Sequence, residues 1–212
     1  MKKILNDLYV TEDERPFNNS VKTISYLIEG KKENYLMYSS SHLYDDKVKT
    51  FIDKKGGIKA QILNHRDEAS EVLKYVRDSF SSELVCHKLE KSIVEKYSKI
   101  DILLDNESSL FSDFEVLHTP GHAIGSTCYL YHGIDGNYLF TGDTLYLSEG
   151  QFRVAVSDEN KSQMIESLVK LKKFDVDYVV PGLFIGEERF RKFEDKKDFS
   201  LIIEQLVESL RK

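Results

Sequence analysis

No apolar run in this chain exceeds the length of a β-strand, and the runs alternate with stretches whose apolar residues recur at helical spacing. A chain patterned this way must build sheets and cover them with helices. Leu5 to Val10, Thr23 to Ile28 and Tyr35 to Tyr38 read as strands separated by Asn, Asp, Gly and Lys turns. A helix is expected over Asp46 to Lys55, stopped by Gly56-Gly57. Ala60 to Asn64 is a short strand. Ala69, Val72, Leu73, Val76 and Phe80 then form the stripe of a helix with one buried face. Leu84 to Cys86 is a further strand, followed by a short helix over Leu89 to Tyr97.

The middle of the chain is β-rich. Ile100 to Leu104, Phe114 to Leu117, Thr127 to Tyr131 and Tyr138 to Phe140 read as strands, the last two joined as a hairpin through Gly133 to Asn137. Ser157 is placed as the N-cap of a helix carrying Met164, Ile165, Leu168, Val169 and Leu171. Val176 to Val180 is a strand stopped by Pro181-Gly182. Phe199, Ile202, Ile203, Leu206 and Leu210 mark a final amphipathic helix. Two sheets with helices outside them would accommodate this order, and the pattern alone gives one α/β or α+β domain over residues 1–212.

Composition enters mainly through what it excludes. The formal net charge is −6 and no Lys/Arg cluster offsets it, which argues against a nucleic-acid partner. No apolar run approaches a membrane span, and the stretch from Met1 to Asn6 turns polar too early for a signal peptide. Cys86 and Cys128 lie in separate apolar runs and read as one buried thiol each. A cytoplasmic setting with no membrane partner is expected.

Chemistry points to three strand ends. His65 follows the strand Ala60 to Asn64. His122 follows Phe114 to Leu117 within Thr119-Pro120-Gly121-His122. Asp143 follows Tyr138 to Phe140 and the turn Thr141-Gly142. Two imidazoles and a carboxylate suit zinc, or non-haem iron with open positions. The competing structural roles are a turn or cap for His65, a helix-dipole role for Asp67 and Glu68 in the first helical turn, and a Pro-Gly turn for His122. His118 is read as packed. His42, His87 and His132 carry no signal, and Ser39 to Ser41 read as a serine-rich turn.

Val116 to Ser126, containing the TPGH segment, resembles the third metal motif of the metallo-β-lactamase superfamily, and Tyr138 to Leu145, containing the TGD segment, resembles the fourth. Ile62 to Asp67 stands where that family has its HxHxDH motif, and Tyr178 to Gly182 where it has PGH. The resemblance implies a sandwich of two sheets flanked by helices, and a metal held by His65, Asp67, His122 and Asp143. It also exposes departures. Ser39-Ser40-Ser41 replaces an early aspartate, Asp67 replaces a histidine, Ala69 and Ser70 stand where an Asp-His pair is usual, and Leu183 replaces the final histidine. The segment His65 to Glu71 is closer to an HRD-type variant of the second motif, with Glu68 and Glu71 as further carboxylates. One divalent metal (zinc or iron, with manganese as a third option) is therefore expected, or none, and not two.

Such a centre implies a hydrolase of a small ester, thioester or lactone, with Asp67 or Asp143 orienting the attacking water and a small molecule as substrate. Two alternatives stand beside it. One is a mononuclear iron oxygenase-like member, since superfamily persulfide dioxygenases use the positions of His65, His122 and Asp143. The other is a non-catalytic small-molecule binder or interaction module built on the same fold.

Overall fold

In the computed structural model, which describes residues 1–17, 20–105 and 108–212, the chain divides into two units, Met1–Asp105 and Asn106–Lys212. The first begins with a hairpin of β1 (Lys2–Leu5) and β2 (Leu8–Val10). The single strand expected over Leu5 to Val10 is thus two, because Asn6-Asp7 turns the chain. Similarly, β3 (Val21–Thr23) and β4 (Tyr26–Glu29) divide the strand expected from Thr23 to Ile28.

From β5 (Asn34–Met37) onward the unit repeats a strand-and-crossover pattern. It continues through α1 (Asp46–Lys54), β6 (Ala60–Ile62), α2 (Glu71–Phe80), β7 (Glu83–His87), α3 (Lys91–Val94) and β8 (Ile102–Leu104). The short helix expected over Leu89 to Tyr97 is a 3-10 turn, Lys88–Glu90, followed by the single turn of α3. Strands β5 to β8 run parallel, and the sheet order is β1-β2-β4-β5-β6-β7-β8.

Amphipathicity decides how the helices of this unit sit. Val48 and Ile52 of α1 and Val72 and Val76 of α2 pack in one cluster with Leu27 and Leu36 of the sheet. Leu73 reaches a second cluster with Leu84, Cys86 and Val94. Each such aliphatic side chain contributes about 1.5–3 kcal/mol by leaving water, far more than helix propensity supplies over so few residues. Asp45 caps α1 by accepting from the Lys47 amide at 2.7 Å.

The second unit holds a sheet ordered β17-β15-β12-β11-β10-β9. Its first members are β9 (Ser108–Leu110), β10 (Phe114–His118), β11 (Thr127–His132) and β12 (Asn137–Gly142), an antiparallel run that includes the expected hairpin. β13 (Tyr146–Ser148) pairs antiparallel with β14 (Gln151–Arg153). After α4 (Lys161–Leu171), β15 (Tyr178–Pro181) joins β12 in parallel, and β16 (Leu183–Ile185) joins β13. β17 (Arg191–Lys192) and α5 (Lys196–Leu210) complete the unit.

Two expectations need correction here. Ser157 caps no α-helix: it precedes a 3-10 turn, Asp158–Asn160, and α4 starts only at Lys161. In α5 the buried stripe is Phe199, Ile203 and Val207, whereas Ile202, Leu206 and Leu210 are half-buried. The mixture of sheets and helices is α+β, as expected. No helix among the described residues is long and apolar enough to cross a membrane.

Candidate metal centre

His65 stands at the carboxyl end of β6. Hydrogen bonds from the Tyr38 amide to the Ile62 carbonyl and from the Leu63 amide to the Val85 carbonyl carry the ladder to that point. The chain then leaves the sheet in extended conformation at His65 and enters a 3-10 turn, Arg66–Glu68. Three groups converge on one oxygen of Glu68. The amides of Asn64 and His65 donate to its Oε1 at 2.9 and 3.2 Å, and His65 Nδ1 lies 3.2 Å from the same atom. Arg66 anchors the turn by a two-pronged bond through Nε and Nη2 to the carboxylate of Glu90, which is fully buried. Asp67 and Glu68 therefore do not open α2, as the sequence suggests. They belong to a separate turn ahead of it, with Glu68 nearly buried and Asp67 64% exposed.

In this turn His65 Nε2 and Asp67 Oδ2 lie 3.7 Å apart. The His65 ring itself is buried, at 2% exposure. The carboxylate of Glu68 can only accept, so Nδ1 is the nitrogen that donates to it, and Nε2 faces the side of Asp67.

The second unit repeats the arrangement with different parts. Thr119 to Ser126 form the loop after β10, closed by the Thr119 amide on the Ser126 carbonyl at 2.8 Å and by the Ala123 amide on Ser126 Oγ at 3.0 Å. Helix α4 clamps the loop from outside. Ser167 Oγ donates to the Pro120 carbonyl at 2.7 Å, and Lys170 Nζ to the His118 carbonyl at 2.8 Å. Gly121 sits at φ +142°, and a Cβ there would lie 2.9 Å from Met164 Cα, so only glycine allows the helix to come this close. His122 then donates from Nδ1 to the Ala155 carbonyl at 3.0 Å, which leaves Nε2 on the other side of the ring.

Asp143 follows β12. Gly142 takes a left-handed φ of +52°, which turns the chain out of the strand. Thr141 Oγ1 to the Leu145 carbonyl at 2.6 Å and the Thr144 amide to the Thr141 carbonyl at 3.0 Å close the turn. His122 Nε2 and Asp143 Oδ2 are 3.6 Å apart, each side chain about one-fifth exposed.

Both separations, 3.6 and 3.7 Å, exceed a hydrogen bond. Two N/O ligands of one tetrahedral zinc, at bond lengths of about 2.1 Å, stand roughly 3.4 Å apart. The two histidine–aspartate pairs thus fit metal ligation better than direct bonding, and each imidazole is oriented by an acceptor on its other nitrogen, as is general for metal-binding histidines. Each unit brings its own histidine and aspartate together.

The remaining candidates are placed as follows. His118 is half-buried rather than packed, with Nε2 2.9 Å from the Ile124 carbonyl. His87 is buried and accepts from the Leu89 amide, and His132 sits on the surface between Asn137 and Glu115. The serine-rich turn engages Glu14, which accepts from the Ser41 amide at 2.9 Å and from its hydroxyl. Cys86 and Cys128 are buried and unbridged, and burial pushes both thiols up to about 12. Leu183 lies half-buried at the start of β16. From the sequence, Glu68 reads as an acid of the first helical turn or a further carboxylate of the motif. An acid three residues after a helix-entry residue is the mark of a capping box, and that signal identifies its actual partners.

Residues 42–183, two-thirds of the chain, match the family model described as the metallo-beta-lactamase superfamily. A hydroxyacylglutathione hydrolase of Francisella tularensis subsp. novicida is 28% identical over 166 residues, covering 76% of this chain and 62% of that protein, so the chain spans under two-thirds of the relative's length. Among solved structures, a metallo-beta-lactamase from Pontibacter korlensis superposes with a TM-score of 0.71 at 12% identity, covering 99% of this chain and 97% of its own. A flavo di-iron protein variant from Thermotoga maritima gives 0.72 at 16% identity, covering 99% of this chain and 60% of that one.

Proposed function

The chain belongs to the metallo-beta-lactamase superfamily, and from that premise we propose that it is a hydrolase holding one divalent metal on His65, Asp67, His122 and Asp143. The observation that carries the reading is the repeated local geometry. Two histidines each present Nε2 beside an aspartate at 3.6–3.7 Å while Nδ1 is held by an acceptor. Zinc or iron, with manganese as a third option, would polarise an acyl oxygen and lower the pKa of water at such a centre. In the proposal the two pairs furnish one site, and Leu183 leaves no imidazole for a second.

The chain's own groups divide the remaining work. Asp67, the more exposed carboxylate, has room to accept a proton from an attacking water. Asp143 sits in a turn closed on both sides by Thr141, which suits it to a fixed position and to orienting water. Among small esters, thioesters and lactones, the likeness to a hydroxyacylglutathione hydrolase favours a thioester. Two buried free thiols fit a reducing cytoplasm, and the acidic balance fits a small molecule rather than a nucleic acid.

The test pairs metal content with turnover. Protein purified without chelator should carry about one equivalent of zinc, iron or manganese and hydrolyse acyl-thioesters faster than lactones. His122→Ala should lose the metal and the turnover, with a thermal midpoint shifted mainly by the lost metal linkage. Metal retained at full affinity in that variant would remove His122 from the site. Wild-type protein with neither metal nor turnover would instead be the non-catalytic binding or interaction module.

A further inference from the structure

Glu68 stands between the first histidine of the motif and the following helix, and its Oε1 turns inward onto the backbone and the ring of His65. Its side chain is only 10% exposed, and a single oxygen, Oε1, meets the amides of Asn64 and His65 and the Nδ1 of His65. An atom already shared by three donors is poorly placed to ligate a metal as well. Its neighbour Asp67 points the other way, at 64% exposure and 3.7 Å from the opposite ring nitrogen. The two consecutive carboxylates therefore bracket one imidazole, a buried one on Nδ1 and an exposed one on the side of Nε2.

We infer that Glu68 is a positioning residue that fixes His65 in the Nδ1–H tautomer and aims its Nε2 toward Asp67, and is not itself a ligand. The inference rests on the metal-site reading for its purpose, though not for its geometry. Two further features support a built device rather than a chance contact. The same carboxylate caps the turn through two backbone amides, so the imidazole and the backbone that carries it are held by one group. The turn is pinned independently by Arg66 on the buried Glu90, so the histidine is anchored on both sides. Such outer partners raise the basicity of the ligating nitrogen, and their loss weakens metal binding by about 10–100-fold.

Nitrogen-15 NMR of the metal-free wild type tests the tautomer directly. The expected result is a protonated Nδ1 and an unprotonated Nε2 at His65; the reverse pattern overturns the inference without any variant. Glu68→Gln keeps an acceptor and should retain that tautomer, whereas Glu68→Ala should give mixed tautomers. Zinc titration of the three proteins should show affinity falling about 10–100-fold in Glu68→Ala, with Glu68→Gln between it and wild type. Equal zinc affinity in all three, with an unchanged His65 spectrum, overturns the positioning role. Failure of the wild type to bind zinc strikes the proposed hydrolase, while the tautomer measurement still decides the role of Glu68.

Discussion

At the scale of single residues, the TPGH loop shows how a packing constraint serves a chemical one. Gly121 is required both by its φ of +142° and by Met164, whose Cα would lie only 2.9 Å from a Cβ at this position. The helix must come that close for Ser167 and Lys170 to hold the loop carbonyls. Gly121→Ala is expected to cost about 2–4 kcal/mol, from a strained φ together with overpacking. The same change should weaken metal binding, because His122 is the next residue. Urea denaturation and zinc titration would check both effects, and an unchanged midpoint would show that α4 is free to shift away from the loop.

At the scale of elements, α2 is tied to the sheet by more than its apolar face. Arg77 reaches Asp101 just before β8 through Nη1 and Nη2, and Asp101 also accepts from the Leu84 amide at 3.1 Å. The Arg77 guanidinium holds the Asp101 carboxyl down at about 2, against an ordinary value of 3.8. A depressed folded-state pKa stabilises above the unfolded value, and that contribution is lost as pH falls from about 4 to about 2. Arg77→Ala should therefore cost about 1–2 kcal/mol at neutral pH, after allowance for solvent screening. The difference from wild type should shrink through that acid window. Urea midpoints measured from pH 7 to 2 give the comparison, and a constant difference down to pH 2 would remove the pair from the stability of this unit.

At the scale of the whole molecule, one proposed metal depends on both histidine–aspartate pairs, His65 with Asp67 and His122 with Asp143. Loss of either pair should then abolish the same single metal, so Asp67→Asn and Asp143→Asn should both lower its occupancy. Leu183→His is expected to leave the stoichiometry at one equivalent. It restores one imidazole, but not the carboxylate and histidine positions occupied by Ala69 and Ser70, nor the early position held by Ser39 to Ser41. A lone new imidazole beside the buried Phe184 does not offset the cost of a second cation. Elemental analysis decides it: two equivalents in the variant would mean that a second site is latent.

What the sequence determined by itself is what neighbouring residues control. The α2 stripe from Val72 to Phe80 (Ala69 belongs to the turn before it), the hairpin across Gly133 to Asn137, the two buried thiols and the strand-end placement of His65, His122 and Asp143 were legible, because periodicity and turn chemistry act over a few residues. The short strands β13, β14, β16 and β17 were not, since two or three residues carry no readable period and are defined by the partners that pair with them. Only the tertiary structure decided which nitrogen each histidine presents. His122 is oriented by a carbonyl 33 residues away, and the turn that carries His65 is pinned by Glu90, 24 residues beyond Arg66. Such partners meet only when helices and strands pack, and no local pattern encodes which of many distant acceptors will arrive.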